Sequence, residues 1–432
     1  MSLIPTPSGT GRRFRRPGTF IAAIVAALMA SVVVAGAALT PPGVIVATTP
    51  LPETEYIGSP SIVSLPDGRY VASHDFFGKK GEELDDTWIY VSSDRGATWS
   101  QTVRLSHVTW GTLFVHRGAL YHMGITHEYG DVVIRRSDDG GRTWTEPVDA
   151  RHGRIFQGSF HSAPVPVVVH GGRVWRAVEE VVNDRKWPRH FAAVVVSAPA
   201  DADLLDAKNW IRTNGIVFDE SWLPGDRPGW LEGNAVVGPD GEMLNILRVN
   251  TEVGPDGPFD LSGPAHGIPR YEVGARCTVS ADGTKLAFDP TRGFFHFPGG
   301  QSKFTIRHDA VSGRYWALVN RITLPHEERD KRVSPIAQRN VVALVSSADL
   351  REWREETRIL RWREGEKLTR DDRRAFQYLD WQFDGDDIVA VARTAWDAQN
   401  FHNANLLTFH RVPNFRRLTA ADSAPNLVPT QP

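Results

Sequence analysis

Six stretches of this 432-residue chain share one pattern: an apolar run, a turn containing Gly or Asp, and a second apolar run. The first is Ser59–His74 (SPSIVSLPDGRYVASH) and the second Gly111–Ile125 (GTLFVHRGALYHMGI). Ser162–Val178, Glu232–Arg248, Lys303–Asn320 and Phe376–Arg393 repeat it. Alternation with a period of two around such turns predicts β-hairpins. Each of the first five is followed by a further pair of strand-like runs. Several of those pairs hold a Trp at or near the turn: Trp99, Trp144, Trp210 and Trp353. The sixth repeat ends at Phe409–Phe415 with three strands, and Gly43–Ala47 is expected to supply its fourth and close a ring.

Two of the outer turns are near copies, Ser92–Trp99 (SSDRGATW) and Ser137–Trp144 (SDDGGRTW), 45 residues apart. Both fit Ser-x-Asp-x-Gly-x-Thr-Trp. In that order the Asp carboxylate accepts backbone N–H bonds, Gly supplies a positive φ, and Trp packs between neighbouring sheets. Repeats of this length built from four strands predict an all-β fold, a six-bladed β-propeller, with a seven-bladed ring as the alternative. The expected organisation is an export segment at 1–37, a linker or ring-closing segment at 38–55, the propeller at 56–417 and a disordered tail at 418–432.

The N-terminus changes the cellular picture. Arg12, Arg13, Arg15 and Arg16 precede an uninterrupted apolar run, Phe20–Leu39, and Ala35-Gly36-Ala37 offers small residues for cleavage. An uncleaved run of that length is also long enough to anchor the chain in a membrane. Either way the basic flank stays inside and the propeller is expected outside the cytoplasm, secreted or anchored. Without those four arginines, 45 basic residues face 51 acidic ones, which speaks against nucleic acid as a partner. The single Cys277 cannot form an internal disulfide, so the domain relies on its core. The domain is expected to be a monomer. Fourteen Trp and 20 Phe suit packed sheets and also sugar-stacking platforms. No His-x-x-x-His pair, Cys cluster or calcium loop has ligand spacing, so neither metal nor cofactor is expected. Asp384–Asp387 falls at a hairpin turn, where polar residues are expected anyway.

Propeller topology then locates a site. In each blade the innermost strand starts, and the second strand ends, beside the central pocket. The second strands end in His74-Asp75, Glu179-Glu180, Arg248, Asn320-Arg321 and Arg393, while the inner strands start near His161, Glu232, Lys303 and Tyr378. Apolar strands that repeatedly finish in charged residues at one height predict a polar ring around a pocket.

With these residues the chain resembles the sialidase superfamily, the Asp-box propellers that cleave terminal acidic sugars, from about Tyr56 to Arg416. Sialidases carry a catalytic Glu opening the fourth blade and an Arg closing its second strand; Glu232 and Arg248 occupy both ends of WLEGNAVVGPDGEMLNILR. Arg339, ahead of a strand in QRNVVALVSSADLREW, is similar to a second sialidase Arg. The resemblance implies a general acid at Asp86, in the pair Asp85-Asp86 before the first Asp box. It implies a Tyr nucleophile at Tyr378, although counting from the turn places Tyr378 two residues late on its strand. Sialidases depart from the two-carboxylate rule because a Glu activates their Tyr nucleophile.

One departure matters. Sialidases open blade one with Arg-Ile-Pro, whose Arg completes a three-arginine clamp; here the chain reads Tyr56-Ile57-Gly58-Ser59-Pro60-Ser61-Ile62. Losing one arm of a bidentate carboxylate clamp implies a differently held acidic sugar, such as a uronate, with Arg393, or an inward-pointing Arg307, compensating. Arg248, Arg339, Arg393, Glu179 and His402 are therefore expected to bind substrate, and Glu232, Tyr378, Asp86, His74 and His161 to act in catalysis. The expected activity is an exo-acting glycoside hydrolase on an acidic oligo- or polysaccharide, sialidase-like or similar to propeller α-L-rhamnosidases. Two alternatives stay open, the first because histidines stand on several blades and the second because fold does not imply activity. One is a polysaccharide lyase that abstracts the C5 proton of a uronate. The other is a non-catalytic carbohydrate-binding propeller.

Overall fold

A computed structural model describes residues 39–78, 83–183, 187–223, 228–251, 265, 267–324, 338–366, 368 and 372–428. The expected export segment at 1–37 lies outside them. Six antiparallel sheets succeed one another as the blades of a six-bladed β-propeller. Blade four shows the plan: inner strand Gly229–Val237, second strand Met243–Asn250, third strand Val273–Val279 and an outer edge of Leu286–Ala287 with Phe294–His296. In blade six the first strand among the described residues, Val44–Thr48, pairs with Leu406–Val412 and forms the outer strand beyond Asp387–Ala395 and Ala375–Asp384. N- and C-terminal strands thus share one sheet, and the ring has no open edge there.

Burial follows position in the blade. The third strand of blade three, Phe191–Pro199, is buried along all but its last residue, because sheets pack on both of its faces. The outer strand Ser100–Ser106 buries only Leu105 and reads as polar. That gradient is why the middle strands are continuous apolar runs and the outer ones are hard to see in the sequence.

The two Asp turns hold as their chemistry requires. Asp94 accepts from Thr98 N at 2.9 Å and from Ser92 Oγ at 2.8 Å, and Asp139 accepts from Thr143 N at 2.9 Å and Ser137 Oγ at 2.8 Å. Gly96, at φ 91°, lies so close to Phe409 that a Cβ would sit 2.3 Å from its ring. Each Trp packs on the preceding blade: Trp99 lies 5.5 Å from Phe409 of blade six, and Trp144 joins the apolar cluster of Val71 and Leu105 in blade one. The turns therefore join blades at the rim, away from the pocket.

One expectation is corrected. Residues 418–428, expected to be a disordered tail, run along the outer strand of blade five, with Ala424 N donating to Arg358 O at 2.8 Å and Leu427 N to Arg361 O at 3.1 Å. An exposed sheet edge leaves a row of unpaired peptide groups, and this segment satisfies them.

Candidate active site

The inner strands of blades two, four and six each carry one extra residue where they reach the pocket. In blade four Leu231 opposes Arg248 while Asn234 opposes Ile246, and in blade six Gln377 opposes Arg393 while Asp380 opposes Val391. Blade two repeats this between Thr109 and Thr112. At each bulge a non-glycine residue takes a left-handed backbone: Trp110 (φ 51°), Glu232 (φ 54°) and Tyr378 (φ 56°). Such conformations cost free energy outside glycine, and bulges re-aim side chains. All three side chains line one cavity of about 310 Å³, together with Phe77, Glu128, Tyr129, His161, Trp187, Arg393 and His402.

At the centre Tyr378 Oη donates to Glu232 Oε1 at 2.9 Å, and Arg248 Nη1 donates to Glu232 Oε2 at 2.8 Å. Burial raises the Glu232 carboxyl, but Arg248, His161 and the hydrogen bonds outweigh it, leaving the group below its ordinary value. Burial and then the Glu232 charge push the Tyr378 phenol up, although Arg248, Arg339 and Arg393 pull the other way. The resting state is therefore a protonated phenol bonded to a carboxylate. The Arg393 guanidinium carbon lies 5.3 Å from the Tyr378 ring and that of Arg339 lies 5.8 Å away. Three guanidiniums thus surround one phenol and one carboxylate. Among the described residues, the buried Nε of Arg248, Arg339 and Arg393 meet no hydrogen-bond partner.

Beside this cluster, His161 Nδ1 and Glu179 Oε2 are 2.7 Å apart, and the other oxygen of Glu179 accepts from Gly233 N at 3.1 Å. His402 lines the cavity against Phe77, and burial with the charges of Arg393 and Arg339 lowers it to about 3, so its imidazole is neutral. Trp110, Tyr129 and Trp187 add aromatic surface suited to sugar rings.

The fold thus gathers Glu232, Tyr378, Arg248, Arg339, Arg393, His161, Glu179 and His402 around one cavity, and it leaves out two expected residues. His74 is fully buried between Phe76, Trp88 and Tyr90, bonds Tyr90 Oη at 3.2 Å and Asp75 O at 2.9 Å, and burial lowers it to about 4. It is a core histidine, because the strand end that turns Asp75 toward the blade-two bulge turns its neighbour into the sheet stack. Asp86 lies on the third strand of blade one, where Arg104 Nε donates to it at 2.6 Å, and it does not line the cavity. Glu179 and Arg248, expected to bind substrate, are 1% and 2% exposed and hold His161 and Glu232 instead.

Sequence reasoning missed Glu128 and Tyr129, in the turn after the second strand of blade two. That strand ends in the apolar Gly124-Ile125, so the polar turn just beyond it drew no notice. It also missed Trp187 and Trp110. The missing first-blade Arg has a steric reason: a Cβ on Gly58 would lie 1.7 Å from Asp75 Oδ1.

No family model and no curated protein matches the sequence. Solved structures do share its fold. An α-L-arabinanase of Penicillium chrysogenum complexed with arabinobiose is 14% identical, covering 87% of this chain and 98% of its own, with a TM-score of 0.50. An α-L-arabinofuranosidase of Fusarium graminearum in complex with an iminosugar inhibitor is 11% identical over 87% and 98%, with a TM-score of 0.53. A Hadza microbial sialidase is 13% identical over 84% and 66%, with a TM-score of 0.53. The likeness is one of fold: a sialidase-like six-bladed β-propeller.

Proposed function

We propose that this chain is an exported, exo-acting glycoside hydrolase that cleaves a terminal or uronate-linked sugar of an acidic glycan. The observation that carries the reading is the bond of 2.9 Å between Tyr378 Oη and Glu232 Oε1, facing a cavity that also holds Arg393. A phenol above its ordinary value is a poor nucleophile until a base takes its proton, and Glu232 is ionised and in contact. In the first step Tyr378 Oη bonds the anomeric carbon, its proton passes to Glu232, and the glycosidic bond breaks. His161, oriented through Nδ1 by Glu179, gives a proton to the departing oxygen. In the second step water attacks the anomeric carbon as its bond to Tyr378 Oη breaks; the water loses a proton to His161, and Tyr378 Oη recovers its own from Glu232. Positive charge at Arg393 in the cavity wall, with the charge of Arg339 near it, favours a carboxylate on the bound sugar. The absent first-blade Arg favours a carboxylate placed differently from that of a sialate. The basic flank and apolar run at the N-terminus support a site of action outside the cytoplasm.

One observation supports the lyase alternative: His402 is neutral and its ring nitrogens lie 3.3 and 3.4 Å from Arg393 Nη2, a base beside a cation. Product analysis on sialylated, rhamnose–glucuronate and ulvan-type saccharides separates the readings. A new reducing end with no unsaturated uronate supports hydrolysis. An ultraviolet-absorbing unsaturated uronate overturns it in favour of a lyase, and saccharide binding without products leaves a lectin.

A further inference from the structure

The bulges that aim Glu232 and Tyr378 release backbone groups from the sheet ladder, and each group is buried, so each needs a partner. Neighbouring odd-numbered blades supply them. Asp75 of blade one accepts from Trp110 N at 2.6 Å and Thr109 Oγ1 at 2.8 Å, holding the blade-two bulge. Glu179 of blade three accepts from Gly233 N, holding the blade-four bulge. Blade six is the reverse case, because its bulge frees carbonyl oxygens. There Asn320 Nδ2 donates to Phe376 O at 2.7 Å, and Lys303 Nζ donates to Leu379 O at 2.7 Å and to Thr305 Oγ1 at 2.8 Å.

Lys303 is 2% exposed and does not line the cavity. Among the described residues no carboxylate lies within ion-pair distance of it, and a buried ammonium without one is costly. Its ammonium instead spans from the inner strand of blade five to the peptide that follows Tyr378. We propose that Lys303 is a positioning residue: it fixes the left-handed turn at Tyr378-Leu379 and so keeps the phenol on Glu232. This deepens the hydrolase reading and rests on it for its effect on turnover, while the geometric part stands alone.

The test compares Lys303→Met, of similar length without a donor, with Lys303→Gln, which keeps an N–H donor. On a rhamnose–glucuronate oligosaccharide, Lys303→Met is expected to lower kcat about 10²-fold with KM unchanged, as for a reacting group displaced by about 1 Å. Lys303→Gln is expected to restore most of it. A second readout needs no turnover: the ultraviolet titration of Tyr378, taken as the difference from Tyr378→Phe. In Lys303→Met it is expected to move down, toward ordinary tyrosine, as the phenol leaves its buried place beside Glu232. Wild-type kcat, or a loss confined to KM, with an unmoved titration overturns the proposal. Should Lys303→Met not fold, Thr305→Val removes the second partner of the ammonium, and the same two outcomes decide. If Tyr378→Phe is as active as its parent, the hydrolase reading fails, while the titration still decides whether Lys303 places Tyr378.

Discussion

Replacing Tyr378 with Phe removes one oxygen and tests the centre of the site. That oxygen donates to Glu232 Oε1 at 2.9 Å and stands 3.5 Å from Arg248 Nη1. Glu232 keeps its bond from Arg248 at 2.8 Å, so the buried ion pair survives and only one hydrogen bond to a charged acceptor is lost. Such a bond is worth about 1.5–3 kcal/mol, a tolerable loss for a six-bladed domain. Turnover is expected to fall much further. Losing the proton-transfer partner alone costs about 10²–10⁴-fold, and losing a nucleophile approaches about 10⁶-fold. Affinity for the acidic oligosaccharide is expected to stay, since Arg393 and the aromatic walls are untouched. The assay pairs single-turnover hydrolysis with calorimetric binding and a denaturant midpoint. A folded Tyr378→Phe variant turning over within tenfold of its parent would refute the nucleophile assignment.

Three further outcomes follow from the same geometry. Arg393→Lys keeps the charge but loses the planar fork stacked 4.3 Å from the Phe77 ring, and it is expected to weaken acidic-oligosaccharide binding roughly 10-fold or more while sparing neutral analogues; equal losses for both would remove Arg393 from carboxylate recognition. Burial lowers His74 from 6.5 to about 4, so the unfolded chain takes up that proton first. The stability from keeping it neutral is complete above pH 6.5 and lost as pH falls toward 4, about 2 kcal/mol of it by pH 5. Urea midpoints at pH 7 and 5 read this loss, and it should shrink in His74→Phe. Gly58→Ala places a Cβ 1.7 Å from Asp75 Oδ1 and is expected to destabilise the fold by about 1–3 kcal/mol in urea; a neutral result would mean that the blade-one loop has room for the arginine it lacks.

Much of the architecture was legible because it is written locally. Turn chemistry at Asp94 and Asp139, Trp99 and Trp144 on the rim, and apolar runs ending in charge are all properties of short segments. Counting them gave six blades, and topology alone then placed His161, Glu232, Arg248, Tyr378 and Arg393 at one height. Adjacent residues separated the successes from the failures. His74 and Asp75 share a strand end, yet one faces the core and the other the blade-two bulge, and nothing in HD says which.

The sequence by itself determined the repeat, its turns and the polar character of the pocket ring, since each follows from the period-two pattern and the chemistry of a few neighbouring residues. Only the tertiary structure decided which of those residues meet. Glu232 and Tyr378 reach one another through left-handed bulges at non-glycine positions, conformations no local preference favours. They persist because Glu179, Asn320 and Lys303, distant in the chain, satisfy the backbone groups the bulges expose. Asp86 stayed out for the same kind of reason: Arg104, on the neighbouring strand, was the closer partner.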